Sequence, residues 1–513
     1  MLPVLTPAEM GAVDAAAPEP VDVLIGRAGA AVARHALALL GGGYGRTIVV
    51  VAGKGNNGND GRDAAVRLRR RGVRVHVVDA AAAPDALPTA DLVIDAAYGT
   101  GFQGTYQPPD PAGAPVLAVD IPSGVDGLTG AAAEGGAAQA VRTVTFAALK
   151  PGLLFHPGRA LAGEIHLADI GLDAGDGETA PGAVSEAGRA APAAGLVGAG
   201  DVGRWLPPRP ADTHKWRSAV VIAAGSPGMT GAAHLAARAA QRAGAGMVRV
   251  TTPGIEGDPG LPTEAVGIAI PGAGWDTSVL DQLERAGALV IGPGLGRGAP
   301  ATAAVHQVVS RASVPVVVDG DGLAALGQRA ADTLSGRDAA TVLTPHDGEF
   351  ARLAGHEPGA DRIAAARSLA AASGAVVLLK GPTTVVAHPD GRVRLSISGD
   401  ARLATAGTGD VLSGIIGALL AQGIDALDAA AAGAWLHGRA AEEGPPRGLV
   451  ASDVIDGLPA VLVALEGHAD GGQLHDDRHA DHRHHTHRGQ ADQRPGEPPH
   501  ADAHDRDDHG GAA

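Results

Sequence analysis

Two short stretches carry residues whose types and spacing could do chemistry. In Ala404-Thr-Ala-Gly-Thr-Gly-Asp410, glycines and an aspartate stand directly before an apolar run, Val411–Gln422. Backbone N–H groups at the start of a helix after such a turn form a hole for phosphate oxygens. A carboxylate beside them can take a proton from a hydroxyl that attacks phosphorus. Asp410 can also cap the helix, and the two roles are compatible. The second stretch is Gly53-Lys-Gly-Asn-Asn-Gly-Asn-Asp-Gly-Arg-Asp63, after the apolar run 47–52. Its spacing Gly53-x-Gly55-x-x-Gly58 fits a dinucleotide-binding turn, and Asp79 falls where a ribose-binding acid belongs. Yet asparagines and an aspartate occupy places where small apolar residues usually sit. Amide oxygens, carboxylates and hydroxyls together suit sodium, potassium or magnesium. Asn57, Asp95 and the run Asp120-Ile-Pro-Ser123 supply such groups at the ends of apolar runs.

The elements that must position these residues alternate between two patterns. Ile48–Ala52, Val73–Val78, Leu92–Ile94 and Val116–Val119 read as strands buried on both faces of a parallel sheet, with a helix over Ala64–Arg71. Ligands of such sheets gather at the carboxyl ends of the strands, where Asp95 and Asp120 lie. An aspartate there also serves as a turn former or helix cap. A second run of strands follows at Ala219–Ala223, Met247–Thr251, Ala288–Ile291, Val314–Val318 and Val376–Leu379. An alanine-rich helix is expected over Ala232–Ala243 and an apolar one over Val411–Gln422. Residues Asp173–Pro210, rich in Gly, Ala and Pro, read as a linker.

The chain has 513 residues, which favours two domains. Hydrophobic residues make up 45% but aromatic ones only 2%, so Ala, Val, Leu and Ile must build the cores. There is no cysteine, which excludes disulfides, thiol nucleophiles and Cys-ligated zinc. A net charge of -16 argues against a sequence-independent nucleic-acid binder. No signal peptide and no uninterrupted apolar run of about 18 residues is found, so a cytoplasmic protein without a membrane span is expected. The segment after residue 467 holds ten of the 21 histidines among Asp, Arg, Gly and Pro, and is expected to be disordered.

Four stretches of the first part occur in one order: Asn56–Asp60 (NNGND), Val93–Thr105 (VIDAAYGTGFQGT), Val119–Gly127 (VDIPSGVDG) and Thr145–Arg159 (TFAALKPGLLFHPGR). Together they resemble the NAD(P)HX epimerase family, the YjeF N-terminal domain. The resemblance implies a substrate, NADH or NADPH hydrated at C6 of the nicotinamide ring, whose R and S epimers interconvert. It implies a potassium ion on Asn57, Asp95 and Ser123. Substrate contacts would come from Asn56, Asn57, Gly58, Asn59, Asp60, the loop Gly99, Thr100, Gly101, Phe102, Gln103, Gly104 and Thr105, and Asp120. Epimerisation needs a proton donor and acceptor by the ring. Asp120 and Lys150 are the candidates, and Lys150 fits a phosphate contact equally well. Two departures stand out. Ile25-Gly-Arg-Ala-Gly29 lacks the family's glutamate, and Asn59 replaces a glycine. Asparagine is the best-tolerated substitute if that position needs a positive φ.

In the second part, His214–Val250, Ile291–Arg297 (IGPGLGR), Val317–Leu323 (VVDGDGL), Leu343–Phe350 (LTPHDGEF), Leu378–Val386 (LLKGPTTVV) and the GTGD loop resemble the ADP/ATP-dependent NAD(P)HX dehydratases, a ribokinase-like family. The resemblance implies substrate contacts at Ala232, Ala233, Gly294, His346 and Asp410, with Asp410 as the base. It implies the adenine nucleotide, ADP with Mg2+, at Lys380, Gly381, Pro382, Thr383, Thr384 and Gly409. His346 alone could instead be structural. The expected architecture is α/β throughout. A Rossmann-like three-layer domain spans 1–172, a linker 173–210, a ribokinase-like domain 211–466 and a tail 467–513. A homo-oligomer is expected. The alternative is a ribokinase-like kinase of a small vitamin precursor with a non-catalytic N-terminal binding domain.

Overall fold

The computed structural model describes residues 1–175, 177–178 and 194–469; the expected His-rich tail beyond 469 and the middle of the expected linker lie outside them. In chain order the strands are β1 Leu2–Val4, β2 Thr47–Ala52, β3 Arg74–Asp79, β4 Leu92–Ala96, β5 Val116–Val119, β6 Arg142–Phe146, β7 Glu164–Ala168, β8 Ala194–Leu196, β9 Ala219–Ala223, β10 Met247–Pro253, β11 Ala265–Ile270, β12 Ala288–Ile291, β13 Val316–Val318, β14 Thr341–Leu343, β15 Val376–Leu379, β16 Thr384–Ala387 and β17 Val393–Ser396.

Six strands form the first sheet in the order β3-β2-β4-β5-β6-β7, parallel throughout. Burial explains why: every residue of β4 and β5 is buried, so no strand face is polar. Helices Pro7–Ala15, Val21–Leu40 and Asn56–Arg70 cover one face. The other carries a core of Val49, Val51, Val93, Tyr106 and Ala118, roofed mainly by loops between β3 and β5. Helix Pro7–Ala15 starts at a capping box formed by Thr6 and Glu9. Helix Val21–Leu40 ends at Gly41, whose φ of 65 suits only glycine well. By length and composition that helix could cross a membrane. Asp22, Arg27 and Arg34 interrupt its apolar residues, and Ala28, Ala31, Val32 and Ala36 are spent in the core.

The second sheet has eleven strands in the order β1-β8-β17-β16-β15-β14-β13-β12-β9-β10-β11. From β11 to β15 neighbours are parallel, and β15, β16 and β17 form an antiparallel meander. Helices lie on both faces. Gly231–Arg242, Thr408–Ala421, Ala426–Glu442 and Ala451–Ala469 pack on one, and Ala299–Arg311, Asp347–Ala354 and Arg362–Ser373 on the other. The core is largely Ala, Val, Leu and Ile, as the shortage of aromatics requires.

Three expectations are corrected. Residues 194–205 are not linker: β8 pairs with β1 and β17, and helix Ala199–Trp205 follows it. Ala-Gly-Leu has little strand propensity of its own, and distant partners impose the pairing. The first glycine turn is helical from Asn56, not from Ala64, so Asn59 sits in a helix and needs no positive φ. The last helix continues to Ala469, past the boundary expected at 466. The two halves are joined within one compact unit, Met1–Asp470, since β1 crosses from the first half into the second sheet.

Candidate active sites

Both sheets switch direction of winding beside their first full-length strand, β2 and β9, where sheets of this kind form a ligand crevice at the carboxyl ends. In the first crevice the chain passes from β2 into helix Asn56–Arg70 through a turn with no room for side chains. A Cβ on Gly53 would stand 1.9 Å from the Ala97 carbonyl oxygen, and one on Gly58 2.0 Å from that of Gly53. The Asn57 amide lies against Gly99, the first glycine of the loop after β4, and its Oδ1 and Nδ2 are buried without a hydrogen-bond partner. Asp95, inside β4 and buried, accepts from Ser123 Oγ at 2.6 Å and Ser123 N–H at 2.8 Å. Burial pushes its carboxyl up against those two bonds. Ser123 Oγ also accepts from the Tyr98 N–H at 2.9 Å, so it pins two strand ends together. Tyr98, Phe102 and Tyr106 form an aromatic cluster beside the largely exposed loop Gly99–Thr105.

Asp120 and Lys150 are brought together. Lys150 Nζ donates to Asp120 Oδ1 at 2.5 Å, Thr145 Oγ1 at 2.9 Å and the Phe146 carbonyl at 3.0 Å. Its three donors are used and its side chain is 2% exposed, which favours a partner of Asp120 over a phosphate contact. Asp120 itself has a φ of 64, an unusual backbone for a residue other than glycine. Asp60 is pushed up to about 8, chiefly by burial and then by the charges of Asp120, Asp63 and Asp14. Asp14, on helix Pro7–Ala15, is raised by burial, with Lys150 opposing and Asp120 adding. Nothing in the residues around Asp14 announces it; only the fold brings it near.

In the second crevice the Gly225 N–H donates to the Pro293 carbonyl at 2.7 Å and Ser226 Oγ to that of Gly294 at 2.8 Å. Gly294 takes a φ of 64, and a Cβ there would stand 3.0 Å from Ala232 Cβ. Ala232 and Gly294 thus meet; Ala233 points into the core instead. Helix Thr408–Ala421 begins after Gly407, whose φ is 90. Behind it lies a network of which only Lys380 is expected from the sequence. Asp319, buried at the end of β13, accepts from Lys380 Nζ at 3.0 Å, Thr344 Oγ1 at 2.8 Å and Ser413 Oγ at 2.8 Å. Burial alone would raise Asp319, but Lys380 and the hydroxyls hold it below the usual carboxylate range. Burial alone would lower Lys380, but Asp319 and Glu349, 3.5 Å away, hold it up. A Cβ on Gly409 would lie 3.7 Å from Asp319 Oδ2 and 3.8 Å from Lys380 Nζ, so loop and network touch. Asp410 is pushed up to about 7 by burial and then by the charge of Asp319. His346 is exposed, and its Nδ1 accepts from the N–H groups of Gly348 and Glu349, capping helix Asp347–Ala354. Gly381 and Pro382 are exposed in the turn between β15 and β16, at whose end Thr384 lies, but the Thr383 side chain faces inward.

Glycine loops and carboxylates at the carboxyl ends of parallel strands in two sheets define a two-site α/β enzyme. The chain matches the family described as NAD(P)H-hydrate dehydratase over residues 220–455 and the YjeF-related protein N-terminus over 21–88 and 78–152. It is 37% identical over 530 residues to the bifunctional NAD(P)H-hydrate repair enzyme of Moorella thermoacetica, covering 90% of this chain and 97% of that one. With its counterpart from Mycobacterium leprae it shares 40% over 429 residues, 78% of this chain and 84% of the relative. Among solved structures, an ADP/ATP-dependent NAD(P)H-hydrate dehydratase from Bacillus subtilis co-crystallised with ATP/Mg2+ is 33% identical. It covers 53% of this chain and 98% of its own, with a TM-score of 0.47. The chain belongs to the family of bifunctional NAD(P)H-hydrate repair enzymes, which pair an epimerase half with a dehydratase half.

Proposed function

We propose that the first half interconverts the R and S epimers of NADH or NADPH hydrated at C6, and that the second dehydrates the S epimer with ADP. The observation that carries the second step is Asp410, a carboxylate raised to about 7 at the start of a glycine-led helix with Lys380 behind it. Asp410 takes the proton of the C6 hydroxyl as that oxygen attacks the terminal phosphorus of ADP. The bond from phosphorus to the bridging oxygen breaks and AMP departs. Phosphate then leaves C6 with the bonding electrons, a proton leaves C5, and the dihydropyridine is restored. Helix N–H groups and Lys380 hold the phosphates. When bound with the nucleotide, Mg2+ would supply positive charge against the phosphate oxygens. Ala232, Gly294 and His346 line the substrate side; Gly409 and the loop Lys380–Thr384 line the nucleotide side.

In the first half Asp120 and Lys150 exchange the proton at the hydrated ring. A potassium ion fits Asn57, Asp95 and Ser123: the Asn57 amide oxygen lacks a partner, and Asp95 is a buried carboxylate with only neutral donors around it. When bound, potassium supplies positive charge that compensates Asp95. Asn56, Asn59, Asp60 and the loop Gly99–Thr105 face the dinucleotide. The reading carries with it a cytoplasmic setting and a homo-oligomeric assembly.

The test is to mix the protein with a racemic pool of hydrated NADH, ADP and magnesium, and follow the absorbance of restored NADH. Complete conversion is expected. A stop at the S fraction, apart from slow spontaneous epimerisation, would remove the epimerase assignment. No conversion with ADP or ATP would remove the dehydratase assignment.

A further inference from the structure

The segment Lys150–Arg159 starts at the first site and ends on the second. Lys150 holds Asp120. The carbonyl of Leu154 accepts from Thr383 Oγ1, which is buried. Arg159 donates from Nη2 to the Ile397 carbonyl at 3.0 Å and from Nη1 to the Pro382 carbonyl at 3.5 Å. Leu154 and Phe155 are buried in the same core as Leu379, Val385 and Leu395 of the second sheet. The segment is folded tightly on itself: a Cβ on Gly158 would stand 2.1 Å from the Gly152 carbonyl oxygen. The loop Lys380–Thr384 therefore has two supports. Arg362, from its own half, donates to the Lys380 carbonyl at 2.9 Å. Leu154 and Arg159, from the other half, fix Thr383 and Pro382.

We propose that Arg159 is a positioning residue for nucleotide binding, so that the epimerase half completes the nucleotide loop of the dehydratase half. The proposal rests on the reading of Lys380–Thr384 as that loop. The guanidinium fork ties the β15–β16 turn to the end of β17, bonding two carbonyls at once, which an ammonium cannot match. A loop held in this way costs less to order when the nucleotide arrives. The first site gains nothing from Arg159, because Lys150 keeps its own three bonds.

The test uses the whole protein and magnesium. Arg159→Ala raises the dehydratase KM for ADP by roughly three- to tenfold, a coupling of the size packed contacts transmit. It leaves kcat and the epimerase rate within about twofold, and Arg159→Lys recovers part of the loss. ADP binding by calorimetry, with Lys380→Gln as control, separates the layers of the argument. If Lys380→Gln binds ADP like the unaltered protein, the nucleotide reading itself fails. If Lys380→Gln weakens binding but Arg159→Ala does not, the positioning role is overturned and the nucleotide reading stands. Should Arg159→Ala fail to fold, Thr383→Val removes the bond to Leu154 with little change of shape. Unchanged ADP affinity in that variant overturns the proposal.

Discussion

The two sites are built on one plan and differ in one respect. Each has a lysine–aspartate pair at the carboxyl end of a parallel strand: Lys150 with Asp120 after β5, and Lys380 with Asp319 after β13. Each pair is braced by a threonine, Thr145 or Thr344. Each faces a second carboxylate that burial pushes up, Asp60 to about 8 and Asp410 to about 7. The difference is access. The Lys150 side chain is 2% exposed, whereas that of Lys380 is 23% exposed and sits against the glycine loop. A closed pair suits proton movement on a bound ring; an open lysine can meet a phosphate. On the proposed roles, one kind of pair serves two chemistries, and its exposure is what visibly separates them.

The largest effect expected breaks the second site only. Asp410→Asn keeps the shape and removes the base, so the dehydratase rate should fall by roughly a thousandfold while epimerisation continues. A dehydratase rate within tenfold of normal would take Asp410 out of the base role. Lys150→Met should cut epimerisation by about a hundredfold or more, with the dehydratase step intact on pure S epimer. The same change also leaves Asp120 without its cation, so a lower melting temperature should accompany it.

The raised carboxyl of Asp410 sharpens the contrast through pH. The dehydratase kcat/KM should rise about tenfold between pH 6 and 8, because Asp410 ionises near 7. Stability runs the other way. The folded protein holds that proton up to about 7 whereas the unfolded chain loses it in the ordinary carboxylate range, so stability falls as pH rises between the two. Asp410→Asn should remove that part of the fall in a denaturant titration. A flat rate profile would separate the buried carboxyl from the chemistry.

The smallest effect concerns the motif that departs from its family. Gly26 lies inside a helix, and a Cβ there would meet nothing closer than Arg67 at 3.6 Å. Gly26→Ala should therefore stabilise by about 0.5–1 kcal/mol. At Gly29 a Cβ would stand 2.3 Å from Asp63 Oδ2, so Gly29→Ala should lower the melting temperature instead. Equal shifts would mean the helix pair Val21–Leu40 and Asn56–Arg70 packs differently.

Much of this was legible in the residues. β9, β12 and β15 begin and end where their apolar runs do, because strands buried on both faces leave a continuous signature. Asp95, Asp120 and Asp410 stand out at strand ends or before a helix. Asp319 carries the same signal as Asp120, an aspartate directly after an apolar run, but its partners Thr344, Lys380 and Ser413 are distant in sequence and only the fold gathers them. Other features had no local trace. Asp14 reaches the first site only because its helix packs there. The three residues of β8 are a strand only through partners far away in sequence on either side, β1 and β17. The helical Asn56–Asp60 reads as loop because asparagine and glycine are poor helix formers, and close packing under the turn overrules them.

β1 has a consequence for how far the two halves can be separated. Its three residues precede every strand of the first sheet, yet the edge they cover belongs to the second, where β8 lies between β1 and β17. The first sheet is drawn from consecutive strands, β2 to β7, whereas the second takes its closing strand from in front of them. A cut between the halves would therefore leave the dehydratase sheet with a bare edge, and only a chain that keeps both halves can close it.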